Sequence, residues 1–146
     1  MEESSGNDEK KDGAGKKISV STLGKTWILD LDGTIVKHNG YILDGEDSFL
    51  PGAEDFLKSI PSSDMVVFIT SRKDTRQEGE LRSAKELTEE FLKKHNIHYE
   101  GIIYNAPYGE RILVNDSKPS GLPMAYAIRP KRDEFFEERF EEDETL

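Results

Sequence analysis

Apolar residues in this chain gather in short runs, separated by polar segments that follow two different periods. The run Trp27-Ile28-Leu29, closed by Asp30 and flanked by polar residues, predicts a strand over 26–30 with both faces covered, as in parallel sheets. Further runs predict strands over 65–70, 101–104, 111–115 and 124–128. Behind Pro51-Gly52, the inward stripe Ala53, Phe56, Leu57 and Ile60 has helical spacing. Leu81, Ala84, Leu87 and Phe91 repeat that spacing and predict a longer helix over 79–95. Residues 35–50 carry the turn dipeptides Asn39-Gly40 and Asp44-Gly45, which predict a hairpin-like excursion.

Strands that alternate with helices imply a mostly parallel sheet with helices on both faces. One link strains that picture, because residues 116–123 contain two prolines and are few for a parallel crossover. At 146 residues the chain suits one domain with a single core.

Charge changes the picture mainly at the ends. Residues 131–146 hold eight acids against three bases and supply half of the formal net charge of −10. Residues 1–17 are almost without apolar side chains. The expected division is therefore a disordered tail over 1–24, a core over 25–130 and an acidic segment over 131–146. Phe136 and Phe140, at i,i+4 spacing, are expected to pack that last segment onto the core. Net acidity argues against a nucleic-acid partner, which would require clustered Lys and Arg. The chain has no cysteine, which removes disulfides and thiolate metal sites. It shows neither the apolar core of a signal peptide nor a membrane-length run, so a cytoplasmic location is expected. His38, His95 and His98 lack metal-ligand spacing and are expected at the surface or at helix ends. Tyr108 is expected to be a packed loop aromatic, with stacking on a substrate ring as the alternative.

The chemistry concentrates in Asp30-Leu31-Asp32-Gly33-Thr34. Two carboxylates stand one residue apart at a strand end, followed by a glycine that permits a sharp turn. Strand ends of open α/β sheets line the crevice where ligands bind. The first carboxylate can act as nucleophile and metal ligand, and the second lies close enough for general acid and base work.

This pentapeptide resembles the nucleophile motif of the haloacid dehalogenase (HAD) superfamily, whose commonest members are Mg²⁺-dependent phosphatases. Val66-Val67-Phe68-Ile69-Thr70-Ser71 resembles its second strand, ending in the phosphate-binding Thr, and Ile112-Leu113-Val114-Asn115-Asp116 resembles its acidic metal-binding strand. The resemblance covers roughly residues 25–130. It implies an α/β fold: a three-layer, Rossmann-like core with a mostly parallel central sheet. The segments 35–50 and 71–100 are too short for a large cap domain, so an open site is expected.

The resemblance also implies an activity, hydrolysis of a phosphomonoester through an aspartyl-phosphate on Asp30. Asp32 would act as acid and base, and Mg²⁺ would be held by Asp30, Asp116 and the Asp32 main-chain carbonyl. Thr70, Ser71 and Arg72 would meet the substrate. The usual lysine is replaced by alanine in the run Ala106-Pro107-Tyr108-Gly109. Arg111 begins the strand that Asp116 ends, and five residues at roughly 3.3 Å each put it about 15 Å away. Lys118, two residues beyond Asp116, is therefore the expected catalytic cation. The expected substrate is a phosphorylated small molecule such as a sugar phosphate, or a phosphoprotein, and a second subunit could cover the site. The alternative is a binding or regulatory protein that keeps the fold without turnover, prompted by Ala106.

Overall fold

The computed structural model describes residues 15–146. They fall into two compact units, one built from residues 24–110 and 130–135, the other from 111–129, 136–146 and the stretch ending at Leu23. Chain order runs β1 (Lys17–Val20), β2 (Thr26–Asp30), α1 (Gly40–Leu43), α2 (Ala53–Ser59), β3 (Met65–Ile69), α3 (Ala84–Lys94), β4 (Gly101–Ile103) and β5 (Arg139–Glu142). The class is α/β with parallel strands in two sheets. No described helix is long and apolar enough to cross a membrane.

The first unit holds a three-stranded parallel sheet in the order β2-β3-β4. Asp30 pairs with Ile69, and Ile69 with Ile103, so the three strands end level with one another. Successive side chains alternate between faces. Leu29 and Phe68 point into a core that also takes Leu57 from α2 and Phe91 and Leu92 from α3. The alternate positions are half open, with Ile28 51% and Ile103 50% exposed. The expected cover on both faces is thus absent at these positions, because the buried residues of both helices join one cluster on one face.

Helix α3 shows why its predicted start was too early. Ser83 accepts from the Glu86 N–H at 3.1 Å while Glu86 accepts from the Ser83 N–H at 2.9 Å, a reciprocal capping box. Leu81 therefore lies outside the helix and is 94% exposed. At the far end Asn96 takes a left-handed φ of 58°. The Ile97 and Asn96 N–H groups then donate back to Leu92 and Lys93 carbonyls at 2.9 and 3.0 Å, closing the helix with a Schellman motif.

The 35–50 excursion returns on itself as expected. The Lys37 N–H donates to Ser48 and the Leu50 N–H to Ile35, at 3.0 and 2.9 Å, with α1 at the tip.

The second unit departs furthest from the sequence pattern. The strands expected over 111–115 and 124–128 do not form, and Ile112 and Val114 are 87% and 90% exposed. Its sheet pairs β1 with β5 in parallel, Ile18 opposite Phe140. Strand β1 lies within the segment expected to be a tail, while residues 1–14 of that segment fall outside the described residues. Phe140 stands on a strand and meets the Tyr126 ring at 5.9 Å. Phe135, the residue before Phe136, packs on the first unit's core, 5.6 Å from the Phe56 ring.

Truncating Leu92, which is fully buried, is expected to cost about 2–5 kcal/mol as Leu92→Ala. Leu81→Ala is expected to change stability by less than about 0.5 kcal/mol, as for a surface position. Urea unfolding of the two variants measures the contrast.

Candidate active site

The loop that follows β2 is built by backbone geometry first. After Asp30 the Leu31 side chain turns into the core, 1% exposed. The Leu31 carbonyl then accepts from the Thr34, Ile35 and Val36 N–H groups at 3.0–3.2 Å, which wraps the chain into one tight turn. Gly33 makes that turn possible with φ of 81°, and a Cβ there would sit 2.9 Å from Arg132 Cγ. The turn leaves Asp30 and Asp32 beside the end of β3.

The two carboxylates have different surroundings. The Thr34 hydroxyl donates to Asp30 Oδ2 at 3.0 Å. Asp32 is gripped by Arg72, whose Nε and Nη2 donate to its two oxygens at 3.1 and 2.8 Å. The Thr70 hydroxyl adds a longer contact to Asp32 Oδ2 at 3.5 Å and accepts from the Arg72 N–H at 3.1 Å.

Arg72 is the centre of this arrangement, not its rim. Its side chain is 2% exposed, as is that of Asp47, which accepts from Nη1 and Nη2 at 2.9 and 2.8 Å. The remaining donor goes from Nη1 to Thr88 Oγ1 at 2.6 Å, and the Tyr41 ring lies 4.1 Å from the guanidinium carbon. A guanidinium has five N–H donors, and all five are engaged. Burial alone would lower the Arg72 pKa, but hydrogen bonds to Asp47 and Asp32 outweigh it and hold the group well above its ordinary value. Burial also pushes the Tyr41 hydroxyl up, with Arg72 opposing and Asp32 and Asp47 adding to the shift. Tyr41 and Asp47 in addition line a cavity of about 390 Å³ beside α3.

Several expected roles change with this geometry. Arg72 was expected to contact substrate, yet it has no donor left to offer. Thr70 was expected to meet the substrate; its backbone N–H donates to the Ile103 carbonyl at 2.9 Å and the residue is 1% exposed. Ser71 is half-buried, with its hydroxyl 3.5 Å from the Pro107 carbonyl. Tyr108, expected to pack, is 87% exposed on the loop that follows β4.

Asp30, Asp32, Thr70, Ser71 and Arg72 share one unit, while Asp116 and Lys118 belong to the other. Both of these lie on exposed chain without helix or strand, and Lys118 opens a turn in which the Gly121 N–H donates to its carbonyl at 2.8 Å. Asn115 donates to the Met124 carbonyl at 2.9 Å. Among the described residues no group of three or more His, Asp or Glu side chains is poised to hold a metal ion.

Sequence reasoning missed Asp47, Thr88 and Tyr41 as partners of the site. Asp47 gave no signal, since it followed the turn dipeptide Asp44-Gly45 in a polar stretch. Thr88 gave a faint one, a polar residue on the buried side of an amphipathic helix.

No family model matches this chain, and no curated protein matches it. A chain from the solved "Structure of Pnkp1/Rnl/Hen1 complex" is similar at 24% identity over 64% of this chain, with a TM-score of 0.45. The match spans 32% of that longer chain.

Removing the shared cation should expose the cost of the clamp. Arg72→Met leaves two carboxylates without their counter-charge and is expected to lose about 3–5 kcal/mol. Adding Asp47→Leu to that variant is expected to recover a large part of the loss, measured as a double-mutant cycle by urea unfolding.

Proposed function

We propose that the protein is a Mg²⁺-dependent phosphomonoester hydrolase with a HAD-like core, working through an aspartyl-phosphate on Asp30. The observation that carries this reading is the unlike treatment of two adjacent carboxylates at one strand end. A hydroxyl steadies Asp30, while a buried guanidinium chelates Asp32. That division suits a nucleophile paired with a positioned acid and base.

In the proposed reaction an Asp30 oxygen attacks phosphorus in line as the bond to the leaving oxygen breaks, and Asp32 gives that oxygen a proton. Water then attacks the phosphorus and loses a proton to Asp32, and the bond to Asp30 breaks to release phosphate. Each Asp32 oxygen accepts one bond from Arg72, and a carboxylate has about four lone-pair sites, so a proton can be exchanged while the clamp holds. The Asp32 side chain, 20% exposed, can meet a substrate oxygen without leaving the clamp entirely.

The donor set suits Mg²⁺: hard oxygens from the Asp30 carboxylate and the Asp32 carbonyl, with no sulfur or imidazole among them. Mg²⁺ keeps several waters and is commonly held by one or two carboxylates, so a closed cage of acids is not required. The resemblance adds Asp116 as a further ligand. Bound there, the ion would neutralise charge on the phosphoryl oxygens.

The segments 35–50 and 71–100 carry no large cap among the described residues, and the proposed substrate is a phosphorylated small molecule, such as a sugar phosphate, or a phosphoprotein. One observation favours the alternative of a binding protein without turnover. Ala106, 9% exposed, stands where the resemblance calls for lysine, and Arg72 cannot substitute for it.

With an aryl phosphate and Mg²⁺, turnover is expected to vanish on chelation and to return when Mg²⁺ is restored. Asp30→Asn is expected to lower kcat by at least about 10³-fold with the fold intact. Hydrolysis that survives this substitution would reject Asp30 as nucleophile. A folded, Mg²⁺-binding protein that turns over no monoester would favour the binding role.

A further inference from the structure

The guanidinium at the proposed site is already spent. Asp32 and Asp47 share Arg72, whose five donors are all taken. A phosphate monoester adds up to two negative charges, so further cationic donors must meet it. Lys37 is engaged by Asp44 at 2.8 Å, and Lys118 belongs to the other unit.

One segment of the same unit brings such donors to the nucleophile loop. The Asp133 N–H donates to the Gly33 carbonyl at 2.7 Å, and the His38 N–H donates to Asp133 Oδ1 at 2.7 Å. These bonds knit residues 33, 38 and 133 together. Arg132 and His38 then approach the same glycine, since a Cβ at Gly33 would lie 2.9 Å from Arg132 Cγ and 3.7 Å from His38 Cβ.

Both side chains have unspent hydrogen-bonding capacity. The Arg132 guanidinium makes no hydrogen bond or ion pair among the described residues. His38 Nδ1 is buried and has no partner among them. Buried polar atoms are almost always satisfied, so an orphan beside a reactive loop calls for water or a ligand. An arginine fork and an imidazole N–H make a donor set for phosphoryl oxygens.

We propose that Arg132 and His38 form the phosphate-holding pair of this site, gripping the monoester next to Asp32. Arg132 gives two N–H donors to phosphoryl oxygens, and His38 gives one from Nδ1 in the tautomer that carries a proton there. The proposal rests on reading Asp30 and Asp32 as a phosphoryl-transfer pair, and it names the cation which that reading lacked.

The test is a titration of the full chain, in Mg²⁺, with inorganic phosphate, followed by calorimetry and by the ¹⁵N resonances of the His38 ring. Wild type is expected to bind phosphate with a shift of His38 Nδ1. Arg132→Gln is expected to weaken binding by about 10-fold or more, and Arg132→Lys to restore part of it as a point charge. His38→Phe is expected to weaken binding by a smaller factor, with circular dichroism confirming that each variant is folded. Equal phosphate affinity in wild type and Arg132→Gln, or no binding by wild type, overturns the pair. If affinity is equal while Asp30-dependent hydrolysis persists, the pair is wrong and the phosphatase reading stands. If phosphate is held through Arg132 and no monoester is hydrolysed, the pair stands and the phosphatase reading falls.

Discussion

The active region of this protein depends on one buried guanidinium. Arg72 lies under the end of the sheet with 2% of its side chain exposed and shares itself between Asp32 and Asp47. Taking a cation and two carboxylates out of water costs several kcal/mol per ion, and only close geometry and full hydrogen bonding offset that. Here every N–H of the guanidinium has an acceptor, and the fifth donor requires Thr88 on α3. The chelate therefore ties three separate stretches of chain to one point: the nucleophile loop, the excursion that carries Asp47, and the helix. None of the three can shift without leaving a charge or an N–H donor unmet.

That constraint gives the 35–50 excursion a purpose beyond its turns. It delivers Asp47 to one edge of the guanidinium and the Tyr41 ring to its face. Asp32 takes the other edge. In the proposed reaction Asp32 serves both halves of the transfer and would gain from a fixed starting position, because small errors in placement are costly to rate. The same fixing removes Arg72 from direct work on a substrate. Burial, not sequence position, decides this: an arginine two residues past a strand end reads as a surface contact until its partners are known.

How much of this was legible follows from range. Asp30-Leu31-Asp32-Gly33-Thr34 and the apolar runs of β2, β3 and β4 are local signals, and the sheet with its level strand ends matches them. The Ser83–Glu86 capping box was present in the sequence and would have corrected the start of α3. Asp47 and Thr88 were not legible, since their meaning comes from Arg72, 25 and 16 residues away. The runs at 111–115 and 124–128 have strand-forming composition, but strand propensity is realised only against a pairing partner. Conversely β5 carries three charged residues in four yet pairs with β1, with Lys17 3.6 Å from Glu141. Its single apolar residue, Phe140, leaves no alternation to read.

On the proposed function the chemistry divides labour among cations. A guanidinium that holds Asp32 cannot also release its donors to a phosphate, because letting go would strand Asp47 in the interior. Under that proposal the substrate-facing charge comes from groups that stay solvated until the substrate arrives. The turn at 130–135 has that character: its backbone is bound to Gly33, while the Arg132 head group extends from an exposed residue. Rigid anchoring of the backbone with a solvated head lets the charge be near the loop without prior pairing to Asp30 or Asp32. Under the proposed pair, the charge that Ala106 does not supply would reach the phosphate from a different part of the chain.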